Sequence, residues 1–464
     1  MENDAEVTVS PEATLKDAMG KINVNRFGIV FVVDEDDRLL GAVTDGDIRR
    51  GILDGKKVTE AVRTVATTDP VTAYESWGEQ EFNQHITPSV VRQHVGHDGT
   101  LTIPVLNDDD QIVSVINVDG KGEQVSEQMV RKSVETVLVI GGAGYLGSQL
   151  CRELLESGYN VRVLDKLLFG TTGIDDIKER DNFKLLQGDM RDINAVVDAV
   201  KGSDAVIHLG GLVGDPASAL DPQETLELNY HATRMIAEVC KYHQINRFIF
   251  ASTCSVYGKS ASPETLLDET SELNPVSLYA QTNIQSEEIL FELMDENFAP
   301  TILRMATLYG YSPRMRFDLV VNILTAKAQT ESVVPIFGGD QYRPNLHVRD
   351  AARAYTACLD APLNLVKGEV FNVGSNAQNY QISEVGEIIS ECFPEASIDW
   401  QREKEDERSY QVDFSKITDT LGYDVSETIE DAALEIKSSL EDNEFTDISD
   451  DNYSNYRTTK KYVE

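Results

Sequence analysis

No stretch limits what this chain can fold into as tightly as residues 137–156. Val137-Leu-Val-Ile140 is a short apolar run with the character of a buried strand. Gly141-Gly-Ala-Gly144-Tyr145-Leu146-Gly147 follows it, and Ser148 to Glu156 is apolar-periodic and opens as a helix. Glycines in such a turn let the backbone approach a pyrophosphate, and a helix N-terminus offers it free N–H groups and the positive end of a dipole. Turns and helix starts collect glycine for structural reasons too, so the string alone decides little. The next strand decides more: Tyr159-Asn-Val-Arg-Val-Leu-Asp165 ends in an acid 24 residues after Gly141, where a carboxylate would take ribose hydroxyls. The pair predicts a dinucleotide site.

Strands and helical patterns alternate from Thr136 to about Ala251. Phe183–Gln187 is a third strand leading to Gly188-Asp189-Met190, Ala205–Leu209 a fourth leading to Gly210-Gly211, and Arg247–Ala251 a fifth leading to Thr253. Ile193–Val200 and Pro222–His243 read as the intervening helices. This alternation predicts an α/β fold, a doubly wound parallel sheet with helices on both faces and ligands at the carboxyl ends of its strands. Beyond Leu303 the pattern turns irregular, as for a smaller C-terminal substrate lobe.

Residues 1–120 differ in character. Gly28–Asp34 and Leu39–Val43 are strands across a turn at Glu35–Arg38, and Thr44-Asp-Gly-Asp47 then caps a helix. A weaker echo, Ile103–Asn107 and Ile112–Ile116 across Asp108–Gln111, makes an internal repeat. It resembles a pair of cystathionine-β-synthase (CBS) motifs, an α+β regulatory module that often binds adenine nucleotides. The first copy carries Gly41-Ala-Val-Thr44 and Asp47, matching the ligand motif, in which Thr44 would meet a phosphate and Asp47 a ribose. The second has Asn117 and Gly120 there, so the resemblance implies one nucleotide site at most. The other reading is a folding and dimerisation module whose Thr44 and Asp47 only cap a helix. Residues 121–135 read as a polar linker, and 441–464 as an acidic, disordered tail.

Composition excludes several classes. The 464 residues hold 79 acids against 41 bases, a formal net charge of −38, and such a surface repels nucleic acid. No apolar run is long enough to span a bilayer, and the first residues lack the features of a signal peptide. Five cysteines lie far apart without metal-site pairing. These features predict a soluble cytoplasmic protein with reduced thiols, no bound metal and no membrane partner.

Two further segments carry chemistry: Ser252-Thr253-Cys254-Ser255-Val256-Tyr257-Gly258 after the fifth strand, and Ser277-Leu-Tyr279-Ala-Gln-Thr-Asn283 at a helix start. With them, residues 136–440 resemble the extended short-chain dehydrogenase/reductases, the NAD-dependent nucleotide-sugar epimerases and dehydratases with a Rossmann-type sheet. The resemblance implies NAD held by Gly141, Gly144, Tyr145, Leu146, Gly147, Asp165, Asp189, Met190, Leu209, Gly210, Gly211, Asn229 and Tyr279. It implies Tyr279 as general acid/base on a sugar hydroxyl, with Thr253 on the same oxygen. Arg343 and Arg408 would grip the diphosphate of a nucleotide-sugar substrate, a task suited to a guanidinium fork. A homodimer is also implied.

Two departures narrow the reading. The family pattern is Tyr-x-x-x-Lys, and Asn283 stands in the lysine's place. A unit charge ~5 Å from the phenol at an effective dielectric of about 20 is worth roughly 3 kcal/mol, about 2 pK units, so proton transfer should weaken on the order of 10²-fold. Cys254-Ser255 also replaces the carboxylate pair with which the 4,6-dehydratases eliminate water. The expected activity is therefore epimerisation or oxidoreduction at a sugar carbon, C4 by resemblance. The alternative is a non-catalytic NAD and nucleotide-sugar binder used for sensing or scaffolding.

Overall fold

The computed structural model describes residues 7–463 apart from 26, 35, 95–99, 108, 120–123, 130–133, 260–264, 296–297, 362, 402–407 and 446. The chain divides into two compact units, Met1–Ser133 and Val134–Glu464. Glu35, Asp108 and Gly120 of the expected repeat, and 121–123 and 130–133 of the expected linker, lie outside the described residues.

The first unit repeats one plan. Thr8–Val9 runs parallel to Ile29–Val33, which pairs antiparallel with Leu39–Thr44; Ala73–Tyr74 runs parallel to Thr100–Leu106, which pairs antiparallel with Ile112–Asp119. One correction concerns the linker: Gln124–Met129 is a strand paired with Ile112–Asp119.

The second unit is built on seven parallel strands: Thr136–Ile140 (β1), Asn160–Asp165 (β2), Phe183–Gln187 (β3), Ala205–His208 (β4), Arg247–Thr253 (β5), Ala299–Met305 (β6) and Val370–Val373 (β7). They lie in the order β3-β2-β1-β4-β5-β6-β7, and the order reverses between β1 and β4. Two-residue periodicity sorts their side chains into two buried layers. Val137, Val139, Val163, Ile207 and Leu303 pack on one face, and Leu138, Ile140, Leu164, Val206 and Ile302 on the other.

Helix α1 (Tyr145–Glu156) follows β1 directly, and helix α2 (Leu278–Leu293) carries Tyr279 near its start. The helix expected over Pro222–His243 runs without a gap to Tyr242 but changes its winding part-way. Pro222–Leu226 and Ala232–Tyr242 are α-helical, but Glu227–His231 makes a π-turn that carries Asn229. Such turns concentrate at functional sites. The tail expected to be disordered is also folded: Asp451–Tyr453 forms a 3₁₀ turn and Asn455–Val463 a helix (α3), with Asn455 and Thr459 buried. Phe445 and Tyr453 anchor it in an aromatic cluster with Phe317. No helix among the described residues is long and apolar enough to cross a membrane.

Candidate active site

A cleft of about 880 Å³ opens at the carboxyl ends of β1 to β5. Gly141 has φ +86°, and a Cβ there would lie 3.0 Å from the Gly210 nitrogen, so the loops after β1 and β4 meet backbone to backbone. A Cβ on Gly147 would strike the Gly141 carbonyl and come within 2.6 Å of Gly142 Cα. Gly144 is the N-cap of α1 and supplies no side-chain cap. The bare loop and the uncapped helix start fit a dinucleotide diphosphate.

Asp165 ends β2 at the same place. Its carboxylate accepts from the Ala143 and Leu167 backbone nitrogens at 2.9 and 2.7 Å, and burial raises its pKa. Asp189 accepts from Lys166 Nζ at 3.0 Å and Arg191 Nη2 at 2.7 Å, and the Arg191 bonds hold it well below the usual carboxylate range. Met190 covers Gly210: its Sδ would be 2.5 Å from a Cβ there. Leu209 and Gly211 line the cleft with Tyr145 and Leu146. Asn229 is placed differently from a ligand contact. It is buried, accepts from Leu212 N at 2.7 Å and donates to Leu212 O at 3.0 Å, which clamps the loop after Gly210-Gly211.

Tyr279 and Thr253 face the same cleft, with the Thr253 hydroxyl near enough to favour the ionised phenol. Burial nevertheless pushes the Tyr279 phenol up to about 12, with Asp215 opposing ionisation and Arg316 favouring it. Asn283 is buried one turn along α2 and donates through Nδ2 to the Tyr279 carbonyl at 2.9 Å. One N–H of the amide is thus used within its own helix. Cys254 is buried with its thiol pushed up by burial, and Ser255 donates its N–H to Thr253 Oγ1 at 3.1 Å, so neither replaces a carboxylate acid.

Arg343 is buried and donates through Nη1 to the Tyr342 and Arg408 carbonyls. Arg408 forms an ion pair with Asp215, whose other carboxylate oxygen accepts from Ser277 Oγ at 2.7 Å. Asp215 was not singled out in the sequence, although the signal was available: Gly214-Asp215-Pro216 follows the fourth strand's glycine pair. Tyr462 was missed as well. Its hydroxyl accepts from Lys166 Nζ at 2.6 Å and donates to Glu224 at 2.9 Å, which brings α3 to the edge of the cleft beside Asp189.

In the first unit Thr44 and Asp47 are brought together, but on each other. Thr44 Oγ1 donates to Asp47 Oδ2 at 2.7 Å, and the backbone N–H groups of both residues complete a capping box. Arg50 pairs with the same carboxylate.

The model of the NAD dependent epimerase/dehydratase family matches residues 137–374, about half of the chain. The chain belongs to that family. A CBS domain matches residues 3–54, the first of the two copies. A UDP-glucose 4-epimerase of Yersinia pestis is 27% identical over 325 residues, 64% of this chain and 95% of the relative. A dTDP-glucose 4,6-dehydratase of Streptomyces niveus is 27% identical over 320 residues, 66% of this chain and 93% of the relative. Among solved structures, UDP-glucuronic acid 4-epimerase from Bacillus cereus, in complex with UDP-glucuronic acid and NAD, has a TM-score of 0.60 at 25% identity. That match covers 66% of this chain and 99% of the other. The cofactor of this NAD-dependent member is NAD, and the glycine cradle and Asp165 are the residues that fit it.

Proposed function

We propose that residues 134–464 form an NAD-dependent nucleotide-sugar epimerase or oxidoreductase acting at C4 of the sugar. What carries this reading is the pairing of Tyr279 with Thr253 in one cleft with the glycine loop and with Arg343 and Arg408. NAD supplies the hydride acceptor when bound. Tyr279 Oη takes the proton of the sugar hydroxyl while Thr253 Oγ1 holds the same oxygen. The two arginines take the diphosphate of the substrate, and Arg408 exchanges Asp215 for it. Elimination of water is disfavoured because Cys254 and Ser255 supply no carboxylate. The named relatives act on or bind UDP- and dTDP-sugars, which supports that substrate class.

The test is to offer the purified chain NAD and a panel of UDP-, dTDP- and GDP-sugars, following nicotinamide absorbance and the epimers formed. With the phenol near 12, the rate should rise about tenfold per pH unit between 7 and 9, because the ionised fraction does. Asn283→Lys should raise it on the order of 10²-fold at pH 7 and shift the profile about 2 units downward. No turnover by either protein would leave the second reading, a sensor or scaffold that binds NAD and nucleotide sugar. The buried, self-engaged Asn283 is what favours that reading.

For the first unit the capping box supports a structural role over regulation by an adenine nucleotide at Thr44 and Asp47. A homodimer, testable by light scattering, and a cytoplasmic location complete the proposal. All five cysteines are unpaired, which suits a reducing compartment.

A further inference from the structure

Pro313-Arg314-Met315-Arg316 lies on the loop between β6 and the helix Val320–Glu331, and its two arginines differ in their company. Arg316 donates through Nε to Asp318 at 2.8 Å. Arg314 is only 4% exposed, and its Nε and Nη2 find no hydrogen-bond partner among the described residues. Its guanidinium lies over the ring of Phe169, 3.9 Å from the centroid. Burial, with Arg316 adding to it, pulls its pKa down to about 9, which still leaves a cation at neutral pH. Asp318 and Asp165 are near enough to favour the cation, but neither bonds its Nε or Nη2, and two buried guanidinium donors left without partners are a costly arrangement that an anion would relieve.

The packing sets Arg314 beside the glycine loop. Tyr145 Oη donates to the Gly310 carbonyl at 2.6 Å, and Ser312 Oγ donates to the Tyr145 carbonyl at 2.7 Å. Ser148 Oγ meets Ser312 Oγ at 2.7 Å, and Gln149 Nε2 donates to the Tyr311 carbonyl at 2.9 Å. The arginine loop is therefore stapled to the first turns of α1. The root of Arg314 closes on the glycine loop as well. A Cβ on Gly173 would be 2.8 Å from the Ala143 carbonyl, 3.0 Å from Arg314 Cβ and 3.2 Å from Ser148 Cβ. Arg314 and Phe169 line the same cleft as Gly141, Gly144 and Asp165.

We propose that Arg314 is a cofactor-binding residue of this chain, holding the diphosphate of the dinucleotide on the glycine loop through its Nε and Nη2 groups. The inference rests on the reading of residues 141–147 as the NAD cradle. A guanidinium fork adds a full charge and directed donors to the partial charge of the α1 terminus. It also gives the chain a cofactor-holding cation on a different element from α2, where Asn283 provides none.

The experiment titrates the full chain and its Arg314→Gln and Arg314→Lys variants with NAD, ADP-ribose, adenosine and UDP by calorimetry and saturation-transfer NMR. Arg314→Gln should weaken NAD and ADP-ribose by about 10- to 100-fold and leave adenosine unchanged, with Arg314→Lys in between. NAD binding within twofold of wild type in Arg314→Gln would overturn the inference. Equal losses for adenosine and ADP-ribose would also overturn it, by making Arg314 a packing residue on Phe169. A loss confined to UDP would overturn it in favour of the substrate's diphosphate. Should Arg314→Gln fail to fold, Arg314→Lys decides: a several-fold loss for both NAD and ADP-ribose, with adenosine unchanged, supports the assignment, and no loss refutes it. A wild-type chain that binds neither NAD nor ADP-ribose would instead remove the cofactor reading itself.

Discussion

Two strand-to-helix junctions in this molecule carry the residues of a nucleotide site, and they are finished in opposite ways. At Ile140–Tyr145 the N-cap is glycine, no side chain caps the helix, and the acid at the next strand end bonds the loop rather than the helix terminus. At Thr44–Asp47 the threonine and the aspartate satisfy each other and the first turn, and Arg50 closes the ring of charge. The first junction leaves its donors to a ligand, whereas the second has spent them. A phosphate at Thr44 would have to replace a hydrogen-bond set that is already complete, at no net gain in bonds. The difference between a binding loop and a helix cap thus lies in who satisfies the backbone.

The largest effect should come from filling the open junction. Gly147→Ala forces the Gly141 and Gly142 backbone to move, and overpacking of this kind costs about 1–3 kcal/mol. NAD affinity should fall by about 100-fold, seen by calorimetry, with the circular dichroism spectrum kept. Affinity within threefold of wild type would break the comparison at its first term. Gly144→Ser is a gentler version, because it gives the open junction the cap that the closed one has. Its φ of −78° suits any residue, though the new Cβ sits 3.3 Å from the Gly141 carbonyl. The helix should gain a few tenths of a kcal/mol while NAD affinity drops about tenfold, the serine hydroxyl competing with the phosphate for one N–H.

A third, smaller effect concerns the roof over the open junction. Deleting residues 451–464 removes Tyr462 from Lys166, Arg191 and Glu224, and the Asn455 N–H from Asp318. NAD should then dissociate roughly fivefold faster in stopped-flow fluorescence, equivalent to one hydrogen bond of about 1 kcal/mol. An unchanged rate would limit α3 to a stabilising role.

What the sequence reveals tracks how local the cause is. The glycine loop, the strand-end acids and the Ser277 cap ahead of Tyr279 are set by residues within a few positions of one another, so spacing exposes them. The alternation of Val137 to Ile140 between two cores is legible for the same reason. Arg314 is different: its meaning comes from Tyr145, Ser148 and Phe169, more than 140 positions away, and no motif marks it. The tail misleads because acidic composition predicts disorder, while Phe445, Ile448 and Tyr453, spaced among the acids, pack on Phe317 and Tyr311. The π-turn at Asn229 is a change in how one turn hydrogen-bonds, i to i+5, and no residue type in Glu227–His231 marks it.

The smallest expected effect tests the closed junction. Thr44→Ala removes the hydroxyl that accepts from Asp47 N at 3.2 Å and donates to its carboxylate, so the first unit should lose about 1 kcal/mol. Because the two units need not melt together, the loss should be followed by Trp77 fluorescence in a Trp400→Phe background, which leaves one tryptophan in the chain. ATP, AMP and S-adenosylmethionine at millimolar concentration should move neither the wild-type nor the Thr44→Ala midpoint, since a ligand that binds only the folded state would raise it by mass action. A nucleotide that lifts the wild-type midpoint by several degrees, with the lift lost in Thr44→Ala and Asp47→Ala, would mean that the capping box opens for a ligand. The two junctions would then differ only in the cost of opening.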